Sequence, residues 1–350
     1  MRVMQVMAGA AEGGAETFFV TLVSALARAG VEQRAVIRRN PARAAQLNAA
    51  GLPPLELPFR RWFDLRTQRG LKQAIAGFRP DIVMTWMSRA SHMTPSGDYL
   101  RLARLGNYYD LKYFRGCDHL LCITPKIADY CIEQGWPRDA VHYMPNFALV
   151  EPQPPVDRAT LGTPEDAPLL LALSRLHPAK GLDVLFQALV IETRAHLWIA
   201  GEGPSRVELE QLAQTLGVAD RVRFLGWRRD RGALMAACDI CVFPSRYEPF
   251  GTVSLEAWGY ERPLVAAASD GPAGLVRDEV DALLVPIEDP EPLAAAIGRL
   301  IDDPALGDRL VQAGAARYAA EFTEAACVKR YIDLFETLLA QRAARVAAVA

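Results

Sequence analysis

LLLALSRLHPAKG, residues 169–181, decides how the rest of the chain is read. Leu169–Leu173 is an unbroken apolar run of strand length, as expected for a strand covered on both faces. It ends in Ser174 and Arg175, and after Pro178 and Gly181 a helix is expected over Gly181–Val190. A buried strand that finishes in charge and leads into a helix is one step of a parallel α/β sheet. Downstream the pattern repeats, with strands at His196–Ala200, Val222–Leu225, Ile240–Phe243 and Pro263–Ala267. Helices over Pro204–Gly217, Arg231–Ala237 and Thr252–Tyr260 separate them.

Upstream, Pro145–Pro168 is rich in proline and charge and reads as a linker. Before it lies a second alternation. Strands are expected at Arg2–Met7, Gln33–Ile37, Asp81–Trp86, Tyr99–Arg104 and His119–Thr124. Helices are expected over Glu16–Ala29, around Arg69–Gly77 and over Tyr108–Arg115, with a polar loop after Ile37 and another at Ser88–Asp98. From Ala315 the chain reads as helix, ending in an amphipathic segment, Arg330–Val349. No fixed-period repeat is present, which excludes a solenoid. The expected fold class is α/β, with two doubly wound halves facing across a cleft. The first domain is residues 1–150, with the helix at about 330–350 crossing back to it; the second is 151–329. Ligands of such sheets collect at the carboxyl ends of the strands.

Composition agrees with this. At 350 residues, 51% hydrophobic and 23% charged, the chain is globular and long enough for two cores. Six cysteines without disulfide-like spacing read as reduced, buried thiols. Cys238 and Cys241 form a C-x-x-C inside the strand-like run CDICVFP, where they would face opposite sides. No apolar run approaches a membrane span, and VMQVMAGAA, interrupted by Gln5 and running into a glycine turn, reads as a strand rather than a signal peptide. The expected location is the cytoplasm, including the cytoplasmic face of the inner membrane. Residues 1–150 hold 19 Lys/Arg against 12 Asp/Glu, a net +7, and residues 151–350 hold 20 against 29, a net −9. A basic first half suits an anionic acceptor or a membrane surface. It lacks the patterning of a nucleic-acid binder.

Three strand-end clusters carry chemistry. Arg175 and Lys180 place two cations beside free helix N–H groups, which suits a diphosphate; a solvated basic loop would look the same. IAGEGPSR, residues 199–206, puts Gly201 and Gly203 at a strand end, where backbone can approach a ligand or simply turn. PSRYEPFGTVSLEAWGYERP, residues 244–263, spaces Glu248 and Glu256 with seven residues between them. The backbone N–H groups of Phe250, Gly251 and Thr252 would open a helix there and favour an anion. Carboxylates at those places can accept sugar hydroxyls, although two surface glutamates flanking a turn would share the spacing.

Taken together and in order, the opening GGAE with SRLHPAKG, IAGEGP, FLGW and EPFGTVSLE resembles the retaining family 4 glycosyltransferases of GT-B fold, most strongly over residues 169–300. The resemblance implies a sugar moved from a nucleotide-diphosphate-sugar to a glycan or lipid-linked acceptor, such as lipopolysaccharide. It implies no cofactor and no metal, because Arg175 and Lys180 would hold the diphosphate. It assigns the transferred sugar to Glu248, the ribose to Glu256, sugar and phosphate to Phe250, Gly251 and Thr252, and the base to the surroundings of Gly226. Gly13 and Gly14 would pass close to donor phosphate or acceptor, Gly203 would line the donor site, and Met144-Pro145-Asn146 resembles the signature closing the first domain.

The sequence departs from that pattern in two places. Where relatives carry a histidine on a first-domain strand, YLRLARLGNYY offers Arg104 and Asn107; His92 lies earlier, in an expected loop. Gly274 stands where relatives often have Glu. For the acceptor or a membrane surface, Arg60, Arg61 and Trp62, continuing to Arg66 and Arg69, mix cations with aromatics in a loop. Tyr108, Tyr109, Lys112, Tyr113, Phe114 and Arg115 repeat that mix, which an aromatic core face would also produce. Two rivals share the fold: a nucleotide-sugar epimerase, and an inactive sugar-binding protein. A dinucleotide oxidoreductase is disfavoured, since the first strand leads to GGAE rather than G-x-G-x-x-G.

Overall fold

The computed structural model describes residues 1–60 and 63–349. The chain divides into two compact units, Met1–Asn146 together with residue 324 onward, and Phe147–Thr323.

In the first unit the elements run β1 (Arg2–Met7), α1 (Gly14–Arg28), β2 (Glu32–Arg38), α2 (Pro41–Ala49), β3 (Leu55–Leu57), α3 (Leu65–Phe78), β4 (Ile82–Trp86), α4 (Met87–Met93), β5 (Leu100–Leu105), β6 (His119–Cys122), α5 (Pro125–Glu133) and β7 (Val141–Tyr143). Among the described residues these strands form one seven-stranded sheet in the order β3-β2-β1-β4-β5-β6-β7. Neighbouring strands are parallel, with Val6 opposite Val36 on one side and Thr85 on the other. Val3–Met7 of β1 are buried, and Gln5 among them is fully covered. Its amide stays satisfied: Oε1 accepts from Trp86 Nε1 at 3.0 Å and Nε2 donates to Gln33 Oε1 at 3.0 Å.

The second unit runs β8 (Leu169–Leu173), α6 (Leu182–Ile191), β9 (His196–Ala200), α7 (Arg206–Thr215), β10 (Val222–Gly226), α8 (Arg231–Ala237), β11 (Ile240–Phe243), α9 (Thr252–Gly259), β12 (Leu264–Ala267), α10 (Asp270–Leu275), β13 (Leu283–Val285), α11 (Pro290–Asp302) and α12 (Pro304–Glu321). Its six parallel strands are ordered β10-β9-β8-β11-β12-β13. Every residue of β8 is buried, as its unbroken apolar run requires, and Leu182, Leu185 and Leu189 of α6 cover one face. The last helix, α13 (Glu324–Val349), belongs to the first unit, where Tyr331 and Phe335 are fully buried.

Several expectations need correction. Residues after Ile37 form α2, capped by Asn40 accepting from the Arg43 N–H, rather than a loop alone. Ser88–Asp98 is not all loop, because α4 takes up its first part and carries His92. Tyr108–Arg115 contains only a short 3-10 turn, Leu111–Phe114, opened by an Asp110 side-chain cap. Cys238 ends α8 instead of lying in a strand, while Cys241 is in β11. Both are free and buried, and burial pushes the Cys238 thiol up to about 12 and Cys241 well above its usual range. Neither is a nucleophile at neutral pH.

Candidate active site

The loops leaving β8 and β9 are laced together backbone to backbone. Ser174 N–H donates to the Ala200 carbonyl at 3.1 Å, and Leu176 N–H to the Glu202 carbonyl at 3.0 Å. A Cβ at Gly201 would fall on the Ser174 carbonyl, and one at Gly203 on the Leu176 carbonyl. Those glycines admit neighbouring backbone, so close approach to a ligand is not what requires Gly203. At the end of β10, Gly226 has φ 69° with the Glu202 carboxylate beside it, and the next residue, Trp227, is 77% exposed.

The expected cation and carboxylate meet. Lys180 closes a short 3-10 turn ahead of α6, and its Nζ lies 2.5 Å from Glu248 Oε2, with both side chains largely covered. Arg175 is exposed, and its guanidinium has no partner among the described residues. What brings the Lys180 and Glu248 loops together is Arg246, which sequence reasoning passed over. Its guanidinium grips Asp183 in the first turn of α6 at 2.7 and 2.6 Å and donates to the Pro178 carbonyl at 2.7 Å. Its backbone N–H adds a bond to the Ala179 carbonyl. Arg246 is visible within PSRYEPFG, but its partners Asp183 and Pro178 lie some sixty residues earlier and Glu288 lies 42 later, so no local signal marks it.

The stretch Glu248–Thr252 is pinned from the far side. Gly271 N–H donates to the Glu248 carbonyl at 2.7 Å, and Gly271 packs against the Phe250 backbone too closely for a Cβ. Phe250 is buried, and Gly251 caps α9 at φ 88°. The N–H groups of Phe250, Gly251 and Thr252 find no acceptor among the described residues. They leave a helix N-terminus open to an anion. Glu256, one turn further along α9, is 7% exposed and accepts from Arg231 Nη2 at 2.7 Å. Burial pushes its carboxyl up, and the Arg231 guanidinium opposes this.

In the first unit, Gly13 and Gly14 begin α1 beside Glu16. The buried Glu16 carboxylate accepts the Ala10 N–H at 2.7 Å and fills the space a Gly13 Cβ would need, whereas Gly14 faces open space. Arg104 is not available to an acceptor or a membrane surface. It is 3% exposed, lies 4.6 and 4.7 Å from the Phe18 and Trp86 ring centres, and donates to Asn146 Oδ1 and, at 3.0 Å, to the Tyr331 hydroxyl. His92 is exposed on α4 and meets Tyr113 edge to face at 5.9 Å. Arg60 is exposed, with its backbone N–H on Asp64 Oδ2 at 2.6 Å; Arg61 and Trp62 lie outside the described residues.

Two parallel doubly wound sheets with charged strand-end loops define an α/β protein of GT-B fold. Residues 12–148 match the Glycosyltransferase Family 4 domain, and residues 167–303 match Glycosyl transferases group 1. The lipopolysaccharide core biosynthesis glycosyltransferase LpsD of Rhizobium meliloti is 41% identical over 349 residues, 98% of this chain and all of that one. LpsE of the same organism is 38% identical, covering 92% of this chain and 96% of its own. The Anabaena protein Alr3699/HepE in complex with UDP superposes with a TM-score of 0.84 at 19% identity, over 96% of this chain and all of that one. The chain belongs to the family 4 glycosyltransferases.

Proposed function

We propose that this chain moves a sugar, with retention of anomeric configuration, from a nucleoside-diphosphate sugar held by the second unit to a growing lipopolysaccharide core or a similar envelope glycan. The observation that carries this reading is the Lys180–Glu248 pair beside the open N–H groups of Phe250, Gly251 and Thr252. Cleaving the bond between sugar and diphosphate develops negative charge on the leaving phosphate and positive charge at the anomeric carbon. Lys180, Arg175 and the helix N–H groups would stabilise the phosphate, and no metal would be required. Glu248 would take hydroxyls of the transferred sugar and Glu256 those of the ribose. The departing phosphate would accept the proton of the incoming hydroxyl on the same face, so no protein base is needed. The names of LpsD and LpsE support the glycan class, and the UDP bound to HepE supports a nucleotide donor.

The test is calorimetric titration with UDP, GDP and ADP, first without metal and then with magnesium. One nucleotide should bind without metal, and Lys180→Ala should abolish that binding. No binding by any of them would remove the donor reading.

On the first unit, the stretch from Arg60 to Leu65 is proposed to touch the cytoplasmic face of the inner membrane. Phe63 is 99% and Leu65 61% exposed, and a groove of about 620 Å³ nearby is lined by Arg34, Arg66 and Arg69. Among the described residues no helix is long and apolar enough to cross a membrane, so such contact would be peripheral. Replacing Arg60, Arg61 and Trp62 should weaken binding to anionic vesicles by about 1 kcal/mol per arginine. Unchanged sedimentation with vesicles would end this proposal.

A further inference from the structure

Glu256 is held differently from Glu248. It sits on α9 with its carboxylate almost wholly covered, and among the described residues a single cation reaches it. That cation is Arg231, the first residue of α8, whose own side chain is 48% exposed. A half-exposed guanidinium therefore covers a buried carboxylate from the solvent side. The contact uses Oε2; Oε1 makes no hydrogen bond among the described residues and is not a sealed, orphaned atom.

The other groups around Glu256 do not compensate for Arg231. From β11 comes Cys241, whose thiol is kept neutral by burial. The strand β12 brings no ionisable side chain. The helix α12 also packs on α9, and its Arg317 is committed to Asp281 at 2.8 Å and lies over the Trp258 ring. Removing Arg231 would leave a buried carboxyl with no opposing charge, the situation that favours the protonated acid. A protonated carboxyl offers fewer acceptor sites to a hydroxyl than the carboxylate does.

We propose that Arg231 is a positioning residue of the donor site: it fixes one oxygen of Glu256 and leaves the other to accept a hydroxyl of the donor nucleotide. The inference rests on the donor-site reading above. Arg231 acts through Glu256, so its loss changes how donor affinity depends on pH. The sign follows from the carboxylate. Without Arg231, Glu256 takes up a proton at higher pH than in the native protein, and nucleotide binding weakens as pH falls through that range.

The experiment is calorimetry with UDP, GDP and ADP on the full chain, as wild type, Arg231→Gln, Arg231→Lys and Glu256→Gln, from pH 5.5 to 8.5. Wild-type affinity should be level between pH 6.5 and 8.5. Arg231→Gln should bind several-fold more weakly than wild type at the acid end of this range and recover toward wild type at pH 8.5. Arg231→Lys should follow the wild-type profile, and Glu256→Gln should bind weakly at every pH. An Arg231→Gln profile parallel to wild type overturns the inference, and so does an equal, pH-independent loss in both Arg231 variants. If the wild type binds none of the three nucleotides, the donor-site reading itself falls, a result separable from the other two.

Discussion

Lys180 and Glu248 in the second unit hold each other, whereas Glu16 and Arg43 in the first hold the backbone of a single loop. Glu16 takes the Ala10 N–H and Arg43 donates to the Ala10 carbonyl at 2.8 Å. Arg104 likewise binds neutral groups, an amide oxygen and a phenol, between two rings. A pair of charged side chains can open and exchange partners when a ligand offers both a phosphate and hydroxyls. A side chain that ties down the backbone of a loop cannot leave without releasing the loop. The Lys180–Glu248 pair is therefore poised for exchange, whereas Glu16, Arg43 and Arg104 are built into the scaffold.

The strongest way to break this contrast is Lys180→Ala. Turnover should fall about 10²- to 10³-fold, the usual effect of losing one preorganised charge at a developing anion. Thermal stability should fall by only about 1–3 kcal/mol, because the largely covered Glu248 is left without its partner. Near-normal turnover would show that the pair is as structural as those in the first unit. Next in size is Arg104→Leu, which strands the Asn146 amide and Tyr331 hydroxyl and should cost about 2–3 kcal/mol in urea unfolding. A loss below about 0.5 kcal/mol would remove Arg104 from the scaffold.

A smaller effect should appear with pH. His142 Nε2 lies 3.1 Å from His119 Nδ1 across β6 and β7, and burial, followed by the charge of His119, pushes the His142 imidazole down to about 4. The unfolded chain binds that proton near 6.5, so the contribution is complete above pH 6.5 and is lost as pH falls toward 4. The urea midpoint should decline over that window, and His142→Gln should flatten the decline. Identical pH profiles for the two proteins would assign the loss elsewhere.

The second unit was the more legible in sequence because its signals are local. Leu169–Leu173, His196–Ala200, Arg231–Ala237 and Ile240–Phe243 match β8, β9, α8 and β11 end to end, each bounded by turn residues or charge. In the first unit α2 was hidden by an alanine-rich, weakly patterned sequence, although Asn40-Pro41 is a proper start signal. Thr124-Pro125 is a like signal and opens α5, a helix that the expected strand ending at Thr124 leaves without a reading. A helix is expected over Tyr108–Arg115, yet the Asp110 cap closes only a single tight turn. The site divides the same way. The family resemblance put Lys180 and Glu248 in one donor site, whereas Arg231 and Arg246 act through partners on other elements. The burial of Arg104 depends on Tyr331, more than two hundred residues away.

That last dependence sets an order of assembly during synthesis. The strands of the first unit leave the ribosome early, but α13, with the buried Tyr331 and Phe335, is made only after the entire second unit. Until then the guanidinium of Arg104 waits without its phenol partner, and the apolar surface that α13 covers is open to solvent. The unit translated first is thus completed last, and a pause anywhere within the second unit would prolong the interval in which a nascent chain offers that surface to chaperones or to aggregation.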